Sequence, residues 1–233
     1  MSPRAADGTE LVMPQLIVPA YFHPATHPDE WAWLAERAAQ VRLIVLNLAS
    51  GPGEQPDAVL IPVLDKLRSA GTTVTGYVDT NYGQRANRDA LAELARYLDW
   101  YDVAGVFFDR TSAVAEHVGH YAELARGARD MGARVVAFNH GAHPIEAYAE
   151  HADLLGTFEG PWSAYFDLAV PRWARARPAE QFFHLVHSVP RESFEDALWL
   201  AARRHAGCAY VTDHGGVNPW ERLPADQRDP QAL

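Results

Sequence analysis

One unit recurs along the whole chain: a short, mostly apolar run closes on a polar residue and gives way to a helical pattern. Q-L-I-V-P-A-Y, R-L-I-V-L-N, T-V-T-G-Y-V-D and G-V-F-F-D end at Tyr21, Asn47, Asp79 and Asp109. R-V-V-A-F-N, L-L-G-T-F-E, F-F-H-L-V-H and C-A-Y-V-T-D end at Asn139, Glu159, His187 and Asp213. Continuous β-branched and aromatic runs suit strands covered on both faces, as in a parallel sheet. Between them lie amphipathic stretches. Trp31, Leu34, Ala35 and Ala38 stripe 28–39, and Val59, Val63, Leu64 and Leu67 stripe 56–70. Leu91, Leu94, Ala95 and Leu98 stripe 87–100, where Asn87 stands as the expected N-cap. Segments 115–131 and 193–205 follow the same period, the latter from Ser193 as cap, and 145–151 and the stretch after Ala164 are shorter. Eight strand–helix units at near-constant spacing predict an α/β fold: a single-domain (β/α)8 TIM-type barrel over 14–214. Residues 1–13 and 215–233 are expected to be terminal extensions.

Composition narrows the partners. The 233 residues carry 30 acidic and 20 basic side chains, a formal net charge of −10. An acidic chain lacks the cationic surface that drives binding to phosphate backbones, so nucleic acid is not an expected partner. Anionic membrane surfaces are disfavoured for the same reason, and no run approaches the ~18 apolar residues of a membrane span. Cys208 is the single cysteine, which excludes an internal disulfide and a cysteine-based zinc site; within C-A-Y-V-T it is expected to be a buried, inert thiol. The first residues, M-S-P-R-A-A-D-G-T-E, include acids and no apolar core of a secretion signal, which sets cytoplasmic localisation as the expectation.

In a barrel of this kind the C-terminal strand ends surround the active-site mouth. Tyr21, Asn47, Asp79, Asp109, Asn139, Glu159, His187 and Asp213 should therefore converge. Several carboxylates around one cavity are costly unless the site binds a cation, shares protons or performs acid–base chemistry. Asp109, at the end of an apolar strand, is a candidate nucleophile or base; an ion pair with Arg110 or a helix cap is the plainer role. Glu159, between Phe158 and Gly160-Pro161-Trp162, is a candidate general acid with a raised pKa, or else a salt-bridged rim residue. Two carboxylates from different strands fit glycoside cleavage without a cofactor. Tyr21, Tyr77, Tyr82 and Trp162 are candidate platforms for sugar rings, or packing. The turn Ser50-Gly51-Pro52-Gly53 lacks the spacing and lysine of a phosphate loop. Eleven histidines include His140/His143 and His184/His187. Partners three apart in a strand point to opposite faces, so neither pair reads as a metal site, and no H-E-x-x-H occurs. His140 and His187 are expected to line the cavity, or to be buried and hydrogen-bonded. No G-x-S-x-G elbow marks a serine hydrolase.

The ordered motifs V-P-A-Y-F-H-P…W, V-L-N-L-A-S-G-P-G, G-Y-V-D-T-N-Y-G-Q-R and W-Y-D-V-A-G-V-F-F-D carry a further signal. With Asn139-His140-Gly141, Phe158-Glu159 and Y-V-T-D…N-P-W, they resemble the spherulin-type (spherulation-specific) family over 14–224. The resemblance implies a TIM-type barrel and kinship with glycoside hydrolases that cut α-1,4-linked galactosamine or N-acetylgalactosamine. It places the family's functional carboxylates at Asp109 and Glu159. The second acid of the family's Asp-Glu pair falls on Arg110, a charge reversal expected to lower the pKa of Asp109 and to reshape the amino-sugar site. His140 stands where the family usually has proline.

Three functions follow as alternatives. The first is a glycoside-hydrolase-like enzyme on an amino-sugar substrate. Asp109 and Glu159 are its catalytic pair, and Tyr21, Asn47, Tyr77, Asp79 and Asn139 position the sugar. The second is an intracellular cyclase, isomerase or lyase in small-molecule biosynthesis, to which Arg110, His140 and the missing signal point. The third is a non-catalytic sugar-binding barrel.

Overall fold

Hydrogen bonding closes the strands into a ring. In the computed structural model, which describes residues 12–224, the parallel strands run in chain order β1 to β8, with β8 pairing back onto β1. They are β1 (Gln15–Ala20), β2 (Val41–Leu46), β3 (Val74–Asp79) and β4 (Gly105–Asp109), then β5 (Val135–Asn139), β6 (Leu154–Pro161), β7 (Phe182–His187) and β8 (Cys208–Val211). The expected single barrel is the observed fold. Residues 1–11 and 225–233 of the expected extensions lie outside the described residues.

Side-chain alternation separates two cores. Phe107 points inward and meets Phe183 from the opposite wall at 5.6 Å between ring centroids. Phe108 and Phe138 point outward, 6.0 Å apart, and Phe138 meets Tyr121 of the helical layer edge-on at 5.4 Å. The period of two that sends Phe107 inward also sends Asp109 to the mouth, and Ala137 likewise implies Asn139. The histidine pair of β7 follows the same rule. His184 is fully buried on the outer face, held by Tyr165 Oη at 2.7 Å and Thr157 at 3.0 Å, while His187 faces the mouth.

The outer layer is uneven. The helices α1 (Pro28–Glu36), α2 (Leu60–Ser69), α3 (Asn87–Tyr101) and α4 (Val118–Asp130) cover the first half. Leu60, Leu64 and Leu67 of α2 and Leu94, Tyr97 and Tyr101 of α3 form their buried stripes. After β5 the cover is a 3-10 segment, Glu146–Glu150; after β6 it is two four-residue helices, α5 (Trp162–Tyr165) and α6 (Arg172–Arg175). Fully buried Tyr148 and Tyr165 fill the space that a longer helix would occupy. The helix α7 (Phe194–Arg203) precedes β8. One expected cap is displaced, and one holds its position without a side-chain bond. Asn87 is already helical, behind an extended Ala86, and its amide donates to the His120 carbonyl at 3.1 Å. Ser193 does occupy the cap of α7 but forms no side-chain cap bond. Cys208 is buried in β8, and burial pushes its thiol up to about 11, as suits an inert core residue.

Past β8, residues 215–224 do not simply trail away. Trp220 and Leu223 enter the main core, with Trp220 edge-on to Tyr210 at 5.8 Å and to His187 at 5.9 Å.

Candidate active site

The floor of the mouth is built from three neighbouring strands. Asn139, buried at the end of β5, directs Nδ2 at both carboxylates: it donates to Asp109 Oδ1 at 2.8 Å and to Glu159 Oε2. One nitrogen serving two acceptors keeps those oxygens within roughly 5–6 Å of each other. The geometry depends on Gly156 of β6. A Cβ there would strike Asn139 Oδ1 and come within 2.6 Å of the Phe183 ring, so only glycine admits the amide.

Burial raises the pKa of both acids, and the two differ in how many donors offset it. Asp109 accepts from the Arg110 backbone N–H, from Asn139 and from Tyr77 Oη at 3.0 Å. Glu159 accepts from Asn139 and the Trp220 side chain. Burial, then the Asp109 charge, pushes Glu159 up to about 7. With more donors on its carboxylate, Asp109 is the better-stabilised anion, and Glu159 is the acid that keeps a proton near neutrality.

Aromatic hydroxyls complete one side. Tyr21 and Tyr77 meet edge-to-face at 5.5 Å. Burial first, then the Asp109, Tyr77 and Glu159 charges, raise the Tyr21 pKa, while a hydrogen bond with Asn47 opposes them, so the phenol stays protonated. Tyr21, Asn47, Tyr77 and Trp220 line a cleft of about 360 Å³ that ends on Asp109. A second cleft, of about 480 Å³, opens on the other side of Asp109 and holds Glu159, His140, His187, Tyr82 and Arg110. The mouth is thus a groove divided at the carboxylate pair.

Other candidates take different places. Arg110 does not act on Asp109 as expected: its guanidinium turns to Asp79 Oδ2 at 2.8 Å and Asn81 Oδ1 at 2.7 Å, and the Asp109 pKa is raised, not lowered. Asp79 is thereby occupied and lines neither cleft. Asp213 pairs with Arg191 at 2.9 Å and also lines neither cleft. Trp162 packs on Phe166 at 4.4 Å beside the outer core and lines neither cleft. The strand-end acids therefore do not form one cluster: charge partners on adjacent loops claim two of them, and a pair is left. His140 gives its Nδ1 proton to the Ser112 carbonyl at 3.0 Å, and burial lowers its pKa to about 4, so it is a neutral wall. His187 bonds Ser188 Oγ at 3.0 Å, and burial lowers its pKa as well. Trp220 is the site residue that the strand pattern missed; the N-P-W motif after β8 was its one signal. Among the described residues, no three His, Cys, Asp or Glu side chains converge as a metal site.

Fold and groove together define a class: a single-domain (β/α)8 barrel whose mouth holds an amide-bridged pair of carboxylates. Residues 15–229 match the spherulation-specific family 4 (Spherulin4), and the chain belongs to that family. Spherulin-4 of Physarum polycephalum is 26% identical over 211 residues, covering 85% of this chain and 63% of that protein, so the chain spans under two-thirds of that relative's length. Among solved structures, Sph3 of Aspergillus clavatus, in complex with GalNAc, superposes with a TM-score of 0.77 at 23% identity, over 93% of this chain and 95% of that one. The chitinase RmChi1 of Rhizomucor miehei gives 0.55 at 13% identity, over 86% and 94%. At these identities the structural likeness establishes the shared barrel.

Proposed function

We propose that the protein is a retaining glycoside hydrolase acting on an amino-sugar oligosaccharide, with Asp109 as nucleophile and Glu159 as acid and base. The observation that carries this reading is the single Asn139 nitrogen donating to both carboxylates. Retaining glycosidases place their carboxyl groups ~5–5.5 Å apart, whereas inverting ones need ~6.5–9.5 Å to admit a water. A shared amide nitrogen favours the shorter spacing. Glu159 gives its proton to the glycosidic oxygen as that bond breaks, and Asp109 attacks the anomeric carbon to form a glycosyl ester. Glu159, now ionised, takes a proton from water, which attacks the same carbon and releases Asp109. Tyr77 and Tyr21 hold Asp109 in position, and Trp220 holds Glu159. The amino-sugar assignment draws on the family membership and on GalNAc in the Sph3 complex.

The test is cleavage of galactosamine and N-acetylgalactosamine oligomers by the wild type, Asp109→Asn and Glu159→Gln, with the product anomer followed by NMR. Loss of roughly 10³-fold or more in each variant, with retained configuration, is expected. Wild-type rates in both variants would overturn the reading. Turnover of a small molecule with no glycosidic cleavage would transfer the same pair to proton shuttling.

A further inference from the structure

Outside the groove, one seam between helices holds polar atoms that the fold leaves unpaired. Asn87 Oδ1, His117 Nδ1 and His120 Nε2 are shielded from solvent and form no hydrogen bond among the described residues. Buried side-chain polar atoms are paired in the large majority, so three orphans in one seam point to a ligand. They come from adjoining elements. Asn87 opens α3, His117 ends the 3-10 turn Ala115–His117, and His120 lies in the first turn of α4. Asn87 Nδ2 donates to the His120 carbonyl at 3.1 Å, which pins the amide to the start of α4. His117 and His120 are three residues apart in consecutive helical turns, a spacing that puts both rings on one face. Gly83, in the loop after β3, borders the same seam: a Cβ there would stand 3.0 Å from His117 Nδ1, and its φ of 83° suits glycine. Asn87, His117 and His120 line neither cleft of the mouth.

Each orphan can present a lone pair. The Asn87 amide already spends its nitrogen on the His120 carbonyl, so its free atom is the oxygen. A neutral imidazole carries one proton; with that proton on His117 Nε2 and His120 Nδ1, both buried nitrogens are acceptors. Burial first, then the neighbouring His117, lower the His120 pKa, and Glu123 opposes them, so the His120 ring is neutral near pH 7. Glu123 is exposed and adds negative charge beside the pair. Two imidazole nitrogens and one amide oxygen suit a borderline divalent cation, whereas calcium and magnesium take oxygen ligands.

We propose that Asn87, His117 and His120 bind one divalent transition-metal ion of the zinc class, a structural site that ties the start of α3 to the start of α4 beneath the loop after β3. The seam connects to the strand ends. His120 packs edge-on to Tyr121 at 5.0 Å, and Tyr121 Oη shares a 2.8 Å hydrogen bond with Thr80 Oγ1. The Thr80 N–H in turn donates to the Asp109 carbonyl at 3.0 Å. The ion therefore braces the rim from outside, while the chemistry stays with the carboxylates. The inference is independent of the glycosidase reading.

The test takes the full chain without an affinity tag, strips it with a chelator and titrates it with zinc, cobalt(II), magnesium and calcium by calorimetry. Zinc and cobalt(II) are expected to bind at a single site, with visible absorption bands from the bound cobalt and a melting temperature that climbs with zinc concentration. Magnesium and calcium should not bind. His117→Ala and His120→Ala should each weaken zinc binding at least roughly tenfold, and Asn87→Leu by roughly tenfold. Asn87→Asp loses the N–H donor but keeps an oxygen and gains a charge, so it should bind zinc at least as tightly as the wild type; a merely structural role for Asn87 would weaken both variants alike. Absence of single-site zinc binding in the wild type, the result if water bridges the three atoms, would overturn the inference. So would a zinc affinity that His117→Ala and His120→Ala leave unchanged. The wild-type titration decides by itself even where a variant fails to fold, and neither result touches the glycosidase reading.

Discussion

Asn139 holds a conflict in balance. Two carboxylates on one cavity floor repel each other, and its amide gives one N–H to each. Without those donors both acids would bind protons more tightly, because burial already raises both. Asn139→Ala should lower kcat by roughly 10²-fold, as loss of a fixed donor commonly does. Its alkaline limb should also move to higher pH, a shift that a pH–rate profile reads directly. In the wild type that limb reports the general acid, so activity should fall as pH rises through the Glu159 value of about 7. The same group sets a stability dependence. Its folded pKa lies above the ordinary 4.5. Between the two values the folded chain keeps a proton that the unfolded chain has released, so stability declines as pH climbs through that window and stays low above it. Glu159→Gln is neutral throughout. It should match the wild type near about pH 4 and exceed it by on the order of 1–3 kcal/mol near about pH 8, as urea denaturation at both pH values would show.

Individual elements decide which side chains reach the groove. Strand β6 offers the clearest case, because its register shifts between Gly156 and Phe158. Phe158 then turns outward onto Tyr165 at 4.6 Å while Glu159 reaches the mouth. Gly156, below the shift, makes room for Asn139. Gly156→Ala should displace that amide, with a stability loss of about 1–3 kcal/mol for overpacking and a fall in kcat like that of Asn139→Ala. Thermal melting and kinetics together would check it; an active, wild-type-like variant would mean that the amide has room to move. Much of this was legible in the chain. Apolar runs ending in Asp109, Asn139 and Glu159 located the floor, because alternation within a strand follows from local geometry. Partner choice was not legible. Whether Asp79 faces a ligand or Arg110, and whether Asp213 takes Arg191, depends on loops brought together by closure. Arg110, moreover, reaches Asp79 from a left-handed backbone that no local pattern announces. Trp162 fell outside the same logic: it begins α5, and a four-residue helix has no periodicity to reveal the face it buries.

The whole barrel is closed by more than its strands. After β8 no further helix packs on the ring among the described residues; residues 215–224 take that place with Trp220 and Leu223. Trp220 belongs to both the core and the site. It packs on Tyr210, lines the cleft beside Tyr21 and Tyr77, and hydrogen-bonds Glu159. Reading 215–233 as an extension left this coupling out, because the strand repeat stops at β8. Removing residues 215–233 should therefore act twice. Exposing the surfaces that Trp220 and Leu223 cover should cost on the order of 3–6 kcal/mol, within reach of a whole domain's stability. Trp220→Phe separates the two effects. It keeps an aromatic ring on Tyr210 but removes the indole N–H, so melting should change little while Glu159, short of one donor, titrates higher. The alkaline limb of the pH–rate profile should move up with it. A large stability loss without a pH shift would instead confine Trp220 to packing, and the chain's last described turn would then close the barrel without tuning its acid.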